Sequence, residues 1–277
     1  MDLSRLLLWL ALFPFLAACS PFGDANMSTA DLDRALTQPV GGNAVSYVHS
    51  GDHTSTRVIY VHGTPGDAGA FAMYVRDGLK GVGSISIDRP GFGQTGGDIV
   101  RSFEAQAAAF EPLLVERDGR WPVLVGHSLG GPIVARAAAD YPDRVAAIVI
   151  IAGSLDPELE GPRWFNYAGV LLSPALPRPL RVSNKEIFAA REQTELLADV
   201  LEHIRCPVVI VHGTRDRLVP YANVEYMRHA FTNAASIEVI TIEDGNHFIP
   251  WQRPDVVRDA VVRAINAQPR RPQQPPS

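Results

Sequence analysis

The sequence predicts an α/β protein with a mostly parallel central sheet covered by helices on both faces. Three observations carry this. Short apolar runs ending in polar or glycine-rich loops recur across residues 44–154 and 204–267, segments of helical character separate them, and each conspicuous polar motif falls at the C-terminal end of a run. Such runs suit strands buried on both faces, and their alternation with helices requires parallel crossovers. In sheets of this kind the loops at the carboxyl ends of the strands gather the functional groups.

Taken in order, Val45-Ser46-Tyr47-Val48 alternates as an edge strand does, with Gly51-Asp52 as the following turn. Arg57 to Val61 leads into His62-Gly63-Thr64-Pro65-Gly66, and Ser84 to Ile87 leads into Asp88-Arg89-Pro90-Gly91-Phe92-Gly93. Val123 to Val125 feeds Gly126-His127-Ser128-Leu129-Gly130, and Val145 to Ala152 feeds Gly153-Ser154. Pro207 to Val211 precedes His212-Gly213-Thr214-Arg215-Asp216, and Ser236 to Ile242 precedes Asp244-Gly245-Asn246-His247. Helical character is expected over 67–80, 102–117, 131–140, 222–231 and 254–267. Residues 155–203 break the rhythm with Pro157, Pro162, Pro174, Pro177 and Pro179 among Trp164, Phe165 and Tyr167, followed by a helical stretch from Lys185 to Glu202. This stretch is expected to form a small cap over the mouth of the site.

Composition narrows the function classes. The chain has 277 residues, 46% hydrophobic and 20% charged, which excludes disorder, and a formal net charge of −5 gives no basis for a nucleic-acid partner. Leu6 to Leu16 is an apolar run broken by Pro14 and too short to span a bilayer, so residues 1–18 read as a signal peptide. Leu16-Ala17-Ala18-Cys19 resembles the lipobox of bacterial lipoproteins, although Asp2 offsets Arg5 where a positive excess is usual. That resemblance implies export, a lipidated Cys19 and attachment to a membrane from the periplasmic or cell-surface side. Residues 19–43 then form a tether and 268–277 a proline-rich tail. Cys206, before Pro207 and an apolar strand, reads as a buried structural thiol.

Ser128 is the organising residue. In a strand that reverses into a helix the apex residue is strained, and its neighbours two positions away must lack side chains so that the two elements pass closely. Gly126 and Gly130 meet that demand, and the Leu129 N–H, in the first helical turn, is aligned to donate to an oxyanion. A serine hydroxyl needs a base within hydrogen-bond reach and the base needs an orienting carboxylate. His247, after the last strand, is the expected base and Asp216 the expected acid. Asp156, after the strand that follows the serine helix, is the competing acid, and Asp244 is expected to be a turn residue. His49, His53, His203, His212 and His229 show no metal-ligand spacing, so neither a metal nor a cofactor is expected.

With Ser128, Asp216 and His247 in the order nucleophile, acid, base, the chain resembles the α/β-hydrolase superfamily over about residues 44–267. His62-Gly63-x-Pro65-Gly66 is similar to the oxyanion loop of that family, which implies the Thr64 N–H as second donor beside Leu129. The family also implies that Asp88 and Arg89 brace the site and that His62 and His127 serve packing and hydrogen bonding. A serine at the apex argues against the branches with an aspartate nucleophile. The resemblance therefore implies hydrolysis of a carboxylic ester, and the aromatic and aliphatic content of residues 155–203 suggests a small substrate with an apolar portion. A C-C bond hydrolase, a lactonase, an aminopeptidase-like enzyme and a non-catalytic lipoprotein binding module are the alternatives.

Overall fold

The computed structural model describes residues 27–39, 44–50, 56–117 and 119–267. The signal segment, Cys19 and the 268–277 tail lie outside the described residues. The strands are β1 (Asp33–Leu36), β2 (Ser46–His49), β3 (Thr56–Val61), β4 (Gly83–Ile87), β5 (Val123–His127), β6 (Ala147–Ile151), β7 (Val208–Gly213) and β8 (Ile237–Ile242). They form one sheet in the order β1-β2-β4-β3-β5-β6-β7-β8. β4, β3, β5, β6, β7 and β8 run parallel, and β1 and β2 are antiparallel additions at one end.

β2 is not the edge. Asp33–Leu36, expected to belong to a tether, pairs with it as the outer strand and so belongs to the sheet. The polar, unpatterned sequence Asp33-Arg34-Ala35-Leu36 gave no strand signal because an outer strand needs main-chain pairing more than an apolar face.

Strand side chains alternate between two cores. Ile59, Val61, Leu124, Ile148, Ile150 and Ile210 face the layer that contains Ile133 and Val134 of α3 (Gly130–Asp140). Val58, Tyr60, Val123, Val125, Val149 and Val211 face Phe71, Tyr74 and the Val257, Ala260, Val261, Ala264 stripe of α8 (Pro254–Asn266). Burial of each aliphatic side chain stabilises the fold by roughly 1.5–3 kcal/mol, so the two layers carry most of the driving force. The remaining helices outside residues 155–203 are α1 (Ala72–Arg76), α2 (Phe103–Ala109), α6 (Ala222–Ala230) and the short α7 (Ile249–Gln252). Cys206 is buried, and burial pushes its thiol up to about 12, consistent with a structural role.

The cap consists of α4 (Trp164–Leu171) and α5 (Arg178–Ala198) with single 3-10 turns at 157–159, 173–175 and 201–203. α5 begins seven residues earlier than the sequence suggested, at Arg178 rather than Lys185, because Pro177 and Pro179 suit the start of a helix, where no N–H is required. α5 turns Val182, Ser183, Glu186, Ala190, Thr194 and Leu197 inward. α4 lies on its outer side through an Asn166 Nδ2 to Asn184 Oδ1 hydrogen bond of 2.9 Å and an edge-on Tyr167–Phe188 contact. Among the described residues no helix is long and apolar enough to cross a membrane.

β5 and α3 pass with no space to spare. A Cβ on Gly126 would lie 2.3 Å from Gly130 O, and one on Gly130 would lie 2.3 Å from Val61 O. Gly126→Ala is expected to lower stability by about 3 kcal/mol or more, read as a fall in the denaturation midpoint, because the obstacle is backbone that cannot turn aside.

Candidate active site

Ser128 sits at the apex between β5 and α3 with φ of 54°, in the left-handed region that costs a side-chain-bearing residue about 1–2 kcal/mol. Two main-chain bonds pin it there: its N–H donates to Ile151 O at 3.0 Å and its carbonyl accepts from Gly131 N at 2.9 Å. Leu129 is the N-cap of α3, which puts its N–H at the positive end of that helix, as expected. The His62–Gly66 loop leaves β3 alongside. A Cβ on Gly63 would lie 2.8 Å from Ser128 Cβ, so only glycine lets this loop, and Thr64 after it, reach the apex. Thr64 Oγ1 is buried with no hydrogen-bond partner among the described residues.

The other two residues converge because β7 and β8 end in another glycine crossing. A Cβ on Gly213 would meet Gly245 O at 2.3 Å, and Arg215 N–H donates to that same oxygen at 2.9 Å. Asp216 and His247 are thereby brought together, and His247 Nδ1–H donates to Asp216 Oδ2 at 2.7 Å with both side chains buried. Asp216 Oδ1 accepts from the Leu218 and Val219 amides at 2.9 and 2.8 Å. Burial pushes the Asp216 carboxyl up, but the His247 bond and charge and these two amides outweigh it and hold it below its ordinary range. The Asp216 carboxylate is therefore an anion fixed on both oxygens, and Nε2 is the imidazole nitrogen not engaged by it.

Among the described residues no hydrogen bond joins Ser128 Oγ to that imidazole. The ring of His127, the residue before Ser128, has its centroid 4.8 Å from that of His247. Contacts between a hydroxyl and its base are commonly long without substrate and tighten when it binds.

Asp156, the competing acid, is engaged elsewhere. Its Oδ1 accepts from Glu158 N at 3.0 Å and caps the 157–159 turn. Asp244 has φ of 57° and is a turn residue, as expected. Asp88 braces the site by accepting from Ala68 N at 2.7 Å and Gln94 N at 3.0 Å.

His127 serves packing and hydrogen bonding, as the resemblance implied: it donates from Nε2 to His247 O at 3.0 Å and stands edge-on to Trp251, so it holds the loop that carries His247. Burial and the neighbouring His247 lower its value to about 3, which keeps it neutral. One contribution was missed: Glu186, 2% exposed on the inward face of α5, is paired with Arg89. A charge at 186 in the stripe Val182, Ala190, Thr194 breaks the apolar face of a helix, and that break was the available signal.

The sequence matches the Alpha/beta hydrolase family over residues 58–260. The chain belongs to that family. It is similar to the monoacylglycerol lipase of Mycolicibacterium smegmatis, 27% identical over 224 residues, covering 66% of this chain and 79% of that one. It is also similar to the dihydrolipoyllysine-residue acetyltransferase component of the acetoin cleaving system of Cupriavidus necator, 29% identical over 114 residues; these are 41% of this chain and 30% of that protein. Among solved structures, the 2-hydroxy-6-oxo-6-phenylhexa-2,4-dienoate hydrolase from Rhodococcus sp. strain RHA1 superimposes with a TM-score of 0.67 at 17% identity, covering 85% of this chain and 100% of that one. At that identity the likeness speaks for the fold.

Asp216→Asn is expected to lower turnover about 10⁴-fold with the melting temperature largely kept, since the amide favours the wrong imidazole tautomer. Asp156→Asn is expected to stay within about twofold of wild type. Steady-state kinetics on both variants check the assignment of the acid.

Proposed function

We propose that this α/β-hydrolase is a serine esterase acting on a carboxylic ester with an apolar portion, with Ser128 as nucleophile, His247 as base and Asp216 as acid. The observation that carries the reading is the 2.7 Å bond from His247 Nδ1 to a carboxylate oxygen whose partner oxygen is held by two amides. That arrangement fixes the tautomer with Nε2 unprotonated and stabilises the imidazolium that forms when it accepts a proton.

Ser128 Oγ attacks the ester carbonyl and passes its proton to His247 Nε2, while the N–H groups of Leu129 and Thr64 hold the oxyanion. Collapse breaks the bond to the alkoxy oxygen, which leaves as an alcohol with the proton from His247. Water then attacks the acyl-enzyme, gives a proton to His247, and releases the acid as the proton returns to Ser128.

The apolar part of the substrate is inferred from the cap, where Trp164, Tyr167, Val170 and Leu171 are 70%, 57%, 53% and 84% exposed. Apolar surface of that extent on one helix marks a place that meets apolar material. It also agrees with anchoring through a lipidated Cys19, which would hold the chain at a membrane surface.

A fluorophosphonate probe is expected to label the wild type and to leave Ser128→Ala unlabelled. Absent labelling of folded wild type overturns the esterase reading in favour of a binding module. Aryl esters of graded acyl length, with amide and lactone controls, then test the bond and the apolar preference. Lipidation has a separate test. Metabolic labelling with an acyl-chain analogue is expected to mark the wild type and spare Cys19→Ala, and equal membrane retention with no label removes the anchor.

A further inference from the structure

Arg89 is 1% exposed, and its guanidinium reaches across three elements. Nε donates to His62 O at 2.9 Å, and Nη2 donates to Gly63 O at 2.8 Å and to Glu186 Oε2 at 3.2 Å. Nη1 donates to Glu186 Oε1 at 2.7 Å and to Gln106 Oε1. Gln106 Nε2 closes the network on Glu186 Oε1 at 2.9 Å. Glu186 comes from the cap, Gln106 from α2, and the two carbonyls from the loop beside Ser128.

Gly63 O accepts a second hydrogen bond from His62 Nδ1–H at 2.7 Å. The tautomer follows from the other ring nitrogen, since Nε2 accepts the Arg89 main-chain N–H at 3.1 Å and so carries no proton. Burial, with the Arg89 charge second, keeps His62 neutral. One carbonyl oxygen is thus gripped from two sides.

That carbonyl belongs to the same peptide unit as the Thr64 N–H, and the unit is trans, the cis bond in this loop being Thr64–Pro65. In a planar trans peptide the C=O and N–H point in opposite directions, so fixing the oxygen fixes the line along which the N–H donates. A charge-assisted bond at the oxygen also polarises the peptide and strengthens its donor end.

We propose that Arg89, held by Glu186 of the cap, is a positioning residue that aims the Thr64 N–H at the oxyanion formed on Ser128. This rests on the serine hydrolase reading above and extends it: the cap contributes to the reaction through the oxyanion loop as well as covering the mouth. Glu186 sets Arg89, Arg89 sets the Gly63 carbonyl, and the carbonyl sets the donor. A misaimed donor weakens binding of the tetrahedral state while leaving the ground-state ester nearly untouched, whereas an ion pair that served stability alone would leave that difference unchanged.

The test compares full-length wild type with Arg89→Met/Glu186→Met, in which a buried pair becomes apolar volume, a change that folded proteins often tolerate. With p-nitrophenyl butyrate the double variant is expected to keep its melting temperature within a few degrees and KM within about twofold, while kcat falls about 10- to 100-fold, somewhat less than for outright loss of a donor. Affinity for a trifluoromethyl ketone, which forms a tetrahedral adduct, is expected to fall by the same factor as kcat. Arg89→Lys keeps a buried charge opposite Glu186 but lacks the fork that reaches Gly63 O, so it is expected to fold and to show the same loss. A kcat within about twofold of wild type in either folded variant overturns the proposal, as does a loss carried by KM alone. Wild type that fails to react with fluorophosphonate removes the esterase reading and this proposal with it. Labelled wild type beside variants of undiminished kcat overturns this proposal only.

Discussion

Backbone sterics at two crossings set where every other part of the site stands. β5 and α3 meet at Gly126 and Gly130, and the ends of β7 and β8 meet at Gly213 and Gly245, each with room for no Cβ. The first crossing forces Ser128 to a φ of 54° and the second brings a turn ending in Asp216 against the loop that holds His247. Strain of about 1–2 kcal/mol at the apex is small beside the burial of Ile133, Val134 and the strand aliphatics on either side of it. Both faces of the sheet are filled, and close packing of that kind holds residues distant in sequence in fixed relative positions.

A second device is electrostatic. His62, His127 and His212 are buried, and burial is the leading reason each is held neutral. Each gives one ring N–H to a main-chain carbonyl: Gly63 O in the loop beside Ser128, His247 O in the loop after β8 and Val219 O in the loop after β7. His212 Nε2 also comes within 3.7 Å of Asp216 Oδ2, but a neutral ring already bonded to Val219 makes this a contact of dipoles rather than an ion pair. Neutral imidazoles staple three loops without adding charge, so Asp216 is left as the anion facing His247.

The sheet was legible because parallel strands buried on both faces read as uninterrupted aliphatic runs, and Val123–Val125 and Val208–Val211 are of that kind. The apex was legible because glycine spacing around a serine has a steric cause. Asp33–Leu36 was not, since its pairing is made by main chain and its side chains carry no period. Nor was Glu186, whose meaning depends on a buried arginine 97 residues away in sequence. Asp216 and Asp156 were separable only by geometry, since each follows a strand and only the β7–β8 crossing decides which one reaches the imidazole.

The Arg89–Glu186 pair has a consequence for how firmly each part of residues 155–203 is attached. Lifting α5 off the sheet would strip two charges of their partners in a dry interior, a cost of several kcal/mol per ion. The contacts of α4 include the Asn166–Asn184 hydrogen bonds, the edge-on Tyr167–Phe188 pair and Arg163 reaching the carbonyls of residues 217 and 218 at the surface. Residues 160–177 are therefore attached more lightly than α5, by neutral and surface hydrogen bonds rather than by a buried pair of charges.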